Sequence, residues 1–191
     1  MKKLAGAILS SALVVAGLSG MSAPAFAVTT FTTCSSVSGH ATFNPGISNT
    51  KQSSHVTGSA AVSSCTGGGV TKGSLTFQGN TIPGNCATRS NPTPGQVVIT
   101  GTFSINWKNG ATSVGTSSGS LKVKSTSNPA QVKVITKITT GKFQGTSTNP
   151  TKGKVLVQLT PDTGQDCVYT AITGMSLSNV SGNKYVVASA S

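Results

Sequence analysis

The feature that most constrains how this chain can fold is an alternation of apolar and polar side chains in its central region. From Val97 to Trp107 the odd-numbered residues are apolar apart from Gly101, and from Thr100 onward the even-numbered residues are polar. Successive side chains of a β-strand point to opposite faces, so this pattern predicts a strand with one buried and one exposed face. No segment beyond the N-terminal region shows the helical period, so we expect an all-β protein.

The turn that ends this strand is predicted from Asn109-Gly110. This dipeptide tolerates positive φ at both central positions, which is typical of a two-residue type I′ hairpin. Centring the turn there gives three cross-strand pairs: Trp107–Thr112, Ile105–Val114 and Phe103–Thr116. The return strand, which runs to Val123, changes parity, because Val114 is even whereas Leu121 and Val123 are odd. A β-bulge near Ser117–Gly119 is expected to bring all three to the core face.

The N-terminal region has the organisation of a secretory signal peptide. Lys2 and Lys3 precede an apolar run from Leu4 to Leu18, and a small-x-small sequence ends at Ala27. This arrangement predicts export with cleavage after residue 27. An uncleaved membrane anchor is the alternative, which the shortness of the run disfavours. Residues 28–191 are then expected to form a single secreted domain, extracellular or associated with the cell envelope.

The secreted part is strongly basic. The chain has 14 Lys and Arg residues against two acidic residues, and it contains no glutamate. Without Lys2 and Lys3 the net charge is about +10, which favours anionic partners such as cell-wall polymers, acidic lipid head groups or nucleic acid. The alternative is that the lysines only solubilise a Ser/Thr-rich β-protein and keep its strand edges unpaired.

Cysteines in an exported chain predict disulfides. There are four of them: Cys34, Cys65, Cys86 and Cys167. If Cys34 faces Cys65 across a hairpin, two apolar pairs fall on one face, Val37–Val62 and Phe43–Val56. This agreement between the bridge and the hydrophobic pattern favours Cys34–Cys65, and it leaves Cys86–Cys167 as the second bridge. No spacing of cysteines and histidines is typical of a zinc site.

The rest of the chain contains further short apolar-polar segments between turns rich in Gly, Pro and Asn. About nine strands at close spacing predict an antiparallel β-sandwich with two disulfides. A small closed β-barrel is the alternative, because it is built from strands of the same kind.

Four lysines are predicted to share one face of two central strands. A turn centred on Ser127–Ala130 pairs Leu121 with Thr136, and the face opposite these residues then carries Lys122, Lys124, Lys133 and Lys137. In this register Lys124 lies directly across from Lys133, and two facing ammonium groups repel each other. Such a pair indicates either a well-solvated face or an anion bound on it, and on the second interpretation these four lysines are the candidate anion-binding site.

Residues suited to catalysis are few. Asp162 and Asp166 are the only acidic side chains, and both are expected to shape the loop that contains them by bonding to its backbone. His40 and His55 are the only histidines, and in the predicted hairpin they lie roughly 13 Å apart, too far to bind one metal ion. No G-x-S-x-G sequence marks a serine nucleophile. We therefore expect no catalytic residue, no metal site and no cofactor.

Aromatic rings that could stack on a ligand are also few. Trp107 lies beside the predicted turn and is the one possible ligand contact, although its place in the apolar series favours burial. A lysine face without interleaved rings suits attraction to polyanions better than specific recognition of nucleic acid.

Two segments carry a resemblance to known proteins. Cys65–Gly73 and Ile105–Ser113 resemble segments of a loose group of small, Thr/Gly-rich secreted proteins from actinobacteria whose function is unknown. The shared motifs are turn and strand sequences. The resemblance therefore implies a secreted bacterial β-protein, and it implies no functional residues.

These features favour a non-enzymatic secreted β-domain that acts in adhesion, scaffolding or binding of anionic polymer. A membrane-active protein, a pore former or toxin, is the alternative, and Val97–Trp107 has the alternation that an inserting strand requires. A hydrolase is a third hypothesis, which the small number of ionisable groups disfavours.

Overall fold

In the computed structural model, residues 29–82, 96–122, 130–167 and 169–189 are described, and they form nine β-strands. The strands are β1 (Thr30–Ile47), β2 (His55–Thr66), β3 (Gly73–Thr81), β4 (Gln96–Trp107), β5 (Thr112–Lys122), β6 (Ala130–Gly141), β7 (Thr151–Pro161), β8 (Ile172–Asn179) and β9 (Tyr185–Ser189). All pairings are antiparallel. The predicted all-β, antiparallel class is confirmed, whereas the predicted signal peptide lies outside the described residues.

The sheet closes on itself as a β-barrel, so the favoured prediction of a β-sandwich is wrong and the alternative architecture is confirmed. Hydrogen-bonded neighbours follow the chain order from β2 to β8, and β1 pairs with β2 on one side and with β8 and β9 on the other. Closure pairs the backbone groups that the edge strands of an open sheet leave exposed.

Two short strands share the last position in the barrel wall. The first part of β1, Thr30–Cys34, pairs with β9, and the later part pairs with β8 from Ser38 onward. On the other side β7 is divided in the same way, because Thr151–Lys154 pairs with β9 and Val157–Pro161 pairs with β8. The wall therefore consists of eight strand positions, of which the eighth is occupied by β8 at one end and β9 at the other.

Aromatic packing fills the β9 end of the barrel. Trp107, at the end of β4, is only 2% exposed and meets Phe143 edge to face, with 5.7 Å between ring centroids. Phe31, from the start of β1, stacks on Phe143 at 6.0 Å. Offset and edge-to-face ring pairs add to the stability that burial provides.

Glycines at inward-facing positions let the strands coil tightly. Gly58 is the cross-strand partner of Phe77, and a Cβ at Gly58 would lie 2.3 Å from the Phe77 ring. Gly79 faces Gly101 on the next strand, and a Cβ on either would strike the backbone of the other strand at 2.1 Å. Glycine at such places allows the sharp curvature that a small barrel needs.

The predicted pairing of β1 with β2 is confirmed. Cys34 lies opposite Cys65 and the two form a disulfide, while the apolar pairs Val37–Val62 and Phe43–Val56 are buried on the inner face. One of the two predicted disulfides is therefore seen. The second stays a prediction, because Cys86, the expected partner of Cys167, lies outside the described residues.

The predicted register of the β4–β5 hairpin is wrong by one residue. Ile105 pairs with Ser113, and Phe103 pairs with Gly115. The loop is one residue longer than that of a type I′ hairpin: Gly110 has φ 82°, Asn109 keeps negative φ, and the backbone N–H of Trp107 donates to the carbonyl of Ala111. This geometry is a type I turn followed by a left-handed glycine, and it inserts one residue into the loop.

The predicted bulge and the predicted β5–β6 register are also wrong. In β5 the odd positions face inward from Ser113 on, so Val114 points outward and is 39% exposed. The ladder to β6 is irregular between Val114 and Gly115, and Thr136 pairs with Ser117 and not with Leu121. The extra loop residue accounts for the missing bulge, because it moves every later side chain of β5 to the opposite face. The β5–β6 register differs from the prediction by four residues, and residues 123–129, which connect these strands, lie outside the described residues.

Candidate functional site

The outer wall formed by β6 and β7 carries four lysines, which we call the lysine face: Lys133, Lys137, Lys152 and Lys154. Lys137 and Lys152 are direct cross-strand partners, and Lys154 lies opposite Ile135, midway between the two lysines of β6. Direct partners have Cβ atoms about 4.5–5.5 Å apart, and diagonal neighbours about 7–8 Å. The four ammonium groups are thus concentrated on a surface two strands wide.

The local sequence dictates this placement. In β6 the even residues Val132, Thr136 and Ile138 are buried, so the lysines at odd positions must point outward. In β7 the odd positions from Thr151 to Leu159 are buried, which turns Lys152 and Lys154 to the same outer side. Lys133, Lys137 and Lys154 are exposed, and Lys152 is half-buried.

No acidic residue belongs to this wall. The sequence from Ala130 to Pro161 contains neither aspartate nor glutamate. Asp162 follows β7 directly, but its carboxylate bonds to His40 on β1. Lysines that face each other without an intervening carboxylate repel, so the folded state maintains a local excess of positive charge here.

Only two of the four predicted lysines belong to the lysine face. Lys133 and Lys137 are exposed on the outer wall. Lys122 ends β5, and Lys124 lies outside the described residues. Lys152 and Lys154 were not among the predicted lysines, although the alternation Thr151–Leu159 indicates that they lie on one side of a strand.

Trp107 is not available to a surface ligand. Its indole N–H donates to Ser113 Oγ at 2.9 Å, and the Ser113 hydroxyl donates to the carbonyl of Lys142. These buried contacts assign the ring to the core at the end of the barrel. On β4 the outward residues from Thr100 onward are polar, among them Thr102 and Asn106, and the apolar residues Phe103 and Ile105 face the interior.

His40 and Asp162 form a pair that was not predicted, and the expectation that the Asp162 side chain bonds to the backbone of its own loop is wrong. His40 Nε2 lies 3.0 Å from both carboxylate oxygens of Asp162, and both side chains are partly exposed. Gly174 makes room for this contact, since a Cβ there would meet Asp162 Oδ2 at 2.0 Å. The residues are 122 positions apart, and only closure of β8 against β1 brings them together.

The remaining candidate residues have structural contacts. Asp166 Oδ1 accepts hydrogen bonds from the backbone N–H groups of Tyr169 and Thr170 at 2.8 and 3.0 Å, which is the turn-shaping role predicted for it. His55 lies opposite Asn44, as the predicted β1–β2 register requires. Among the described residues no cluster of three His, Cys, Asp or Glu side chains could hold a metal ion.

The fold and this surface define a class: a closed antiparallel β-barrel whose outer wall is rich in lysine on two adjacent strands. No known protein family, no curated protein and no solved structure matches the chain. The resemblance to actinobacterial secreted proteins thus stays a prediction. In the part of the chain that the structure describes, no helix has the length and apolar character of a bilayer span.

Proposed function

We propose that this protein is a non-enzymatic binding protein that attaches to anionic polymers through its lysine face. The observation that carries the proposal is the direct pairing of Lys137 with Lys152 in a wall without carboxylates. A facing pair of like charges reduces the stability of a sheet. A polyanion that lies across the two strands would relieve this repulsion and gain attraction from four ammonium groups.

The shape of the wall suits an extended partner. Lys133 and Lys137 are four residues apart on β6, which corresponds to roughly 13 Å along the strand. Half-buried apolar side chains, Ile135 and Leu156, share this face with the lysines, and aliphatic lysine stems pack favourably on apolar surface. Such a surface attracts charge along a chain and does not read the identity of its units.

The predicted export indicates where the protein would meet its partner. An exported chain with a net charge of about +10 meets the anionic polymers and acidic lipids of the cell envelope before other partners. Attachment to a polymer of the envelope would let the protein act in adhesion or scaffolding, and neither role requires catalysis. We name polyanionic cell-wall polymer as the partner.

The experiment compares two triple variants of equal net charge. The first changes the exposed lysines of the lysine face, as Lys133→Gln, Lys137→Gln and Lys154→Gln. The control changes three exposed lysines elsewhere: Lys51→Gln, Lys72→Gln and Lys108→Gln. Fluorescence anisotropy with labelled polyphosphate, over about 50–200 mM salt, gives the affinity and its salt dependence.

We expect the lysine-face variant to lose most of its affinity, and the slope of log K against log salt concentration to fall by roughly 2–3. The control variant keeps a slope close to that of the unmodified protein. Equal losses in the two variants would show that total charge and not the lysine face controls binding. Binding that is indifferent to salt would refute the electrostatic mechanism.

A further inference from the structure

The interior of the barrel is not completely filled. A cavity of about 120 Å³ lies between the strands, away from the end that Trp107 closes. Its lining comes from every strand of the wall and includes Phe77, Ile99, Phe103, Val134, Leu159 and Leu177. On β4 the lining contains Ile99 and Phe103 and leaves out Ile105 and Trp107, which places the cavity toward the start of that strand.

Several inward side chains are only half-buried because they border this space. Leu75, Phe77, Ile99, Val134 and Leu177 pack against the core and are still partly exposed. Protein interiors are normally packed as densely as organic crystals, so a void of this size leaves apolar atoms without contacts. A molecule that filled the void would supply those contacts.

The chemistry of the lining limits what can enter. None of the described residues around the cavity carries a charge. The buried hydroxyls of Thr136 and Tyr185 are already bonded to each other at 3.0 Å. Burial raises the pKa of Tyr185 to about 12, so its phenol stays uncharged at neutral pH. A charged or strongly hydrated ligand would lose its hydration here without compensation.

We propose that the barrel interior is a binding site for a small, uncharged, apolar molecule of about the size of benzene. An apolar cavity of similar size, about 150 Å³ and lined by Leu, Ile and Phe, stays dry and binds benzene or xenon. This site is distinct from the lysine face, although β6 and β7 serve both. Val134 and Val155 line the cavity from the inner side of the wall whose outer side bears the lysines.

The test uses benzene as the probe and the full secreted chain as the protein. A ligand that binds only the folded state raises the thermal midpoint of unfolding, and at ten times Kd it lowers the unfolding equilibrium constant about elevenfold. Val134→Phe fills the cavity from β6. The matched control is Ile135→Phe, because the neighbouring side chain lies on the outer face of the same strand.

We expect benzene to stabilise the unmodified protein and the Ile135→Phe variant, and not the Val134→Phe variant. A second measurement does not depend on any variant: nuclear Overhauser effects between benzene and the methyl groups of Val134, Leu159 and Leu177. A saturable midpoint shift with these contacts supports the proposal. The absence of both in the unmodified protein, or an equal shift in both variants, overturns it.

Discussion

Tyr185 is a single residue whose ionisation is coupled to folding. Its ring is 2% exposed, and burial raises the pKa of the phenol from 10.0 to about 12, although the hydrogen bond with Thr136 opposes part of this increase. The folded state therefore holds the phenolic proton more tightly than the unfolded chain. Its contribution to stability is complete below pH 10 and is lost as the pH rises from 10 through 12, a loss of roughly 2–3 kcal/mol.

The Tyr185→Phe variant is expected to lack this alkaline component, because phenylalanine does not ionise. Urea unfolding at several pH values between about 9 and 12 measures it as the pH dependence of the free energy of unfolding. Tyr169→Phe is the control, since Tyr169 is 88% exposed and its removal leaves the buried phenol intact. A Tyr185→Phe variant as sensitive to alkali as the control would show that another group causes the loss.

The β4–β5 hairpin is the element whose register can be decided by two substitutions. In the structure Ser113 is fully buried and accepts the Trp107 indole N–H, whereas Val114 is 39% exposed. Ser113→Ala leaves that N–H without a partner and should lower the free energy of unfolding by about 1–3 kcal/mol. Val114→Ala should change it by less than about 0.5 kcal/mol. The register predicted from the sequence would bury Val114 and would make Val114→Ala the more destabilising substitution. Urea unfolding of both variants therefore distinguishes the two registers.

What the sequence could predict differs between hairpins for a physical reason. The β1–β2 register was predicted correctly because two independent constraints, the bridge Cys34–Cys65 and the apolar pairs beside it, agree. For β4–β5 the only constraint was Asn109-Gly110, a dipeptide that fits a two-residue turn and also a three-residue turn with glycine last. These differ by one residue, and the error carried over into the predicted bulge. The wrong lysine pairing has a separate origin, the assumed turn centred on Ser127–Ala130, whose β5–β6 register differs from the observed one by four residues.

At the scale of the whole molecule, closure was the least predictable property. Nine strands with alternating apolar and polar residues are compatible with a sandwich and with a barrel. Only contacts between segments that are distant in sequence decide between these two architectures. The division of the eighth wall position between β8 and β9 has no local signal. The same limit applies to the candidate site, because lysines of β6 could be predicted from alternation, whereas their pairing with Lys152 and Lys154 depends on β7 as a neighbour.

Closure predicts that the short strand β9 is essential for the barrel. A chain that ends at Lys184 would leave Thr30–Cys34 and Thr151–Lys154 without their partners. It would also remove Tyr185 and Val187 from the core. Each buried side chain that is lost lowers the free energy of unfolding by roughly 1.5–3 kcal/mol. Exposed strand edges add a tendency to associate through backbone pairing.

We expect the chain that ends at Lys184 to lose cooperative unfolding and to form aggregates, as measured by near-ultraviolet circular dichroism and sedimentation velocity. A chain that ends at Ser189 retains all of β9 and is the control. Because added strands can bind an open edge through main-chain hydrogen bonds, a peptide of residues 184–189 should restore the native spectrum. The same peptide with Val187→Asp should not, since position 187 is fully buried. If the shortened chain were a cooperative monomer, the barrel would not depend on β9 for closure.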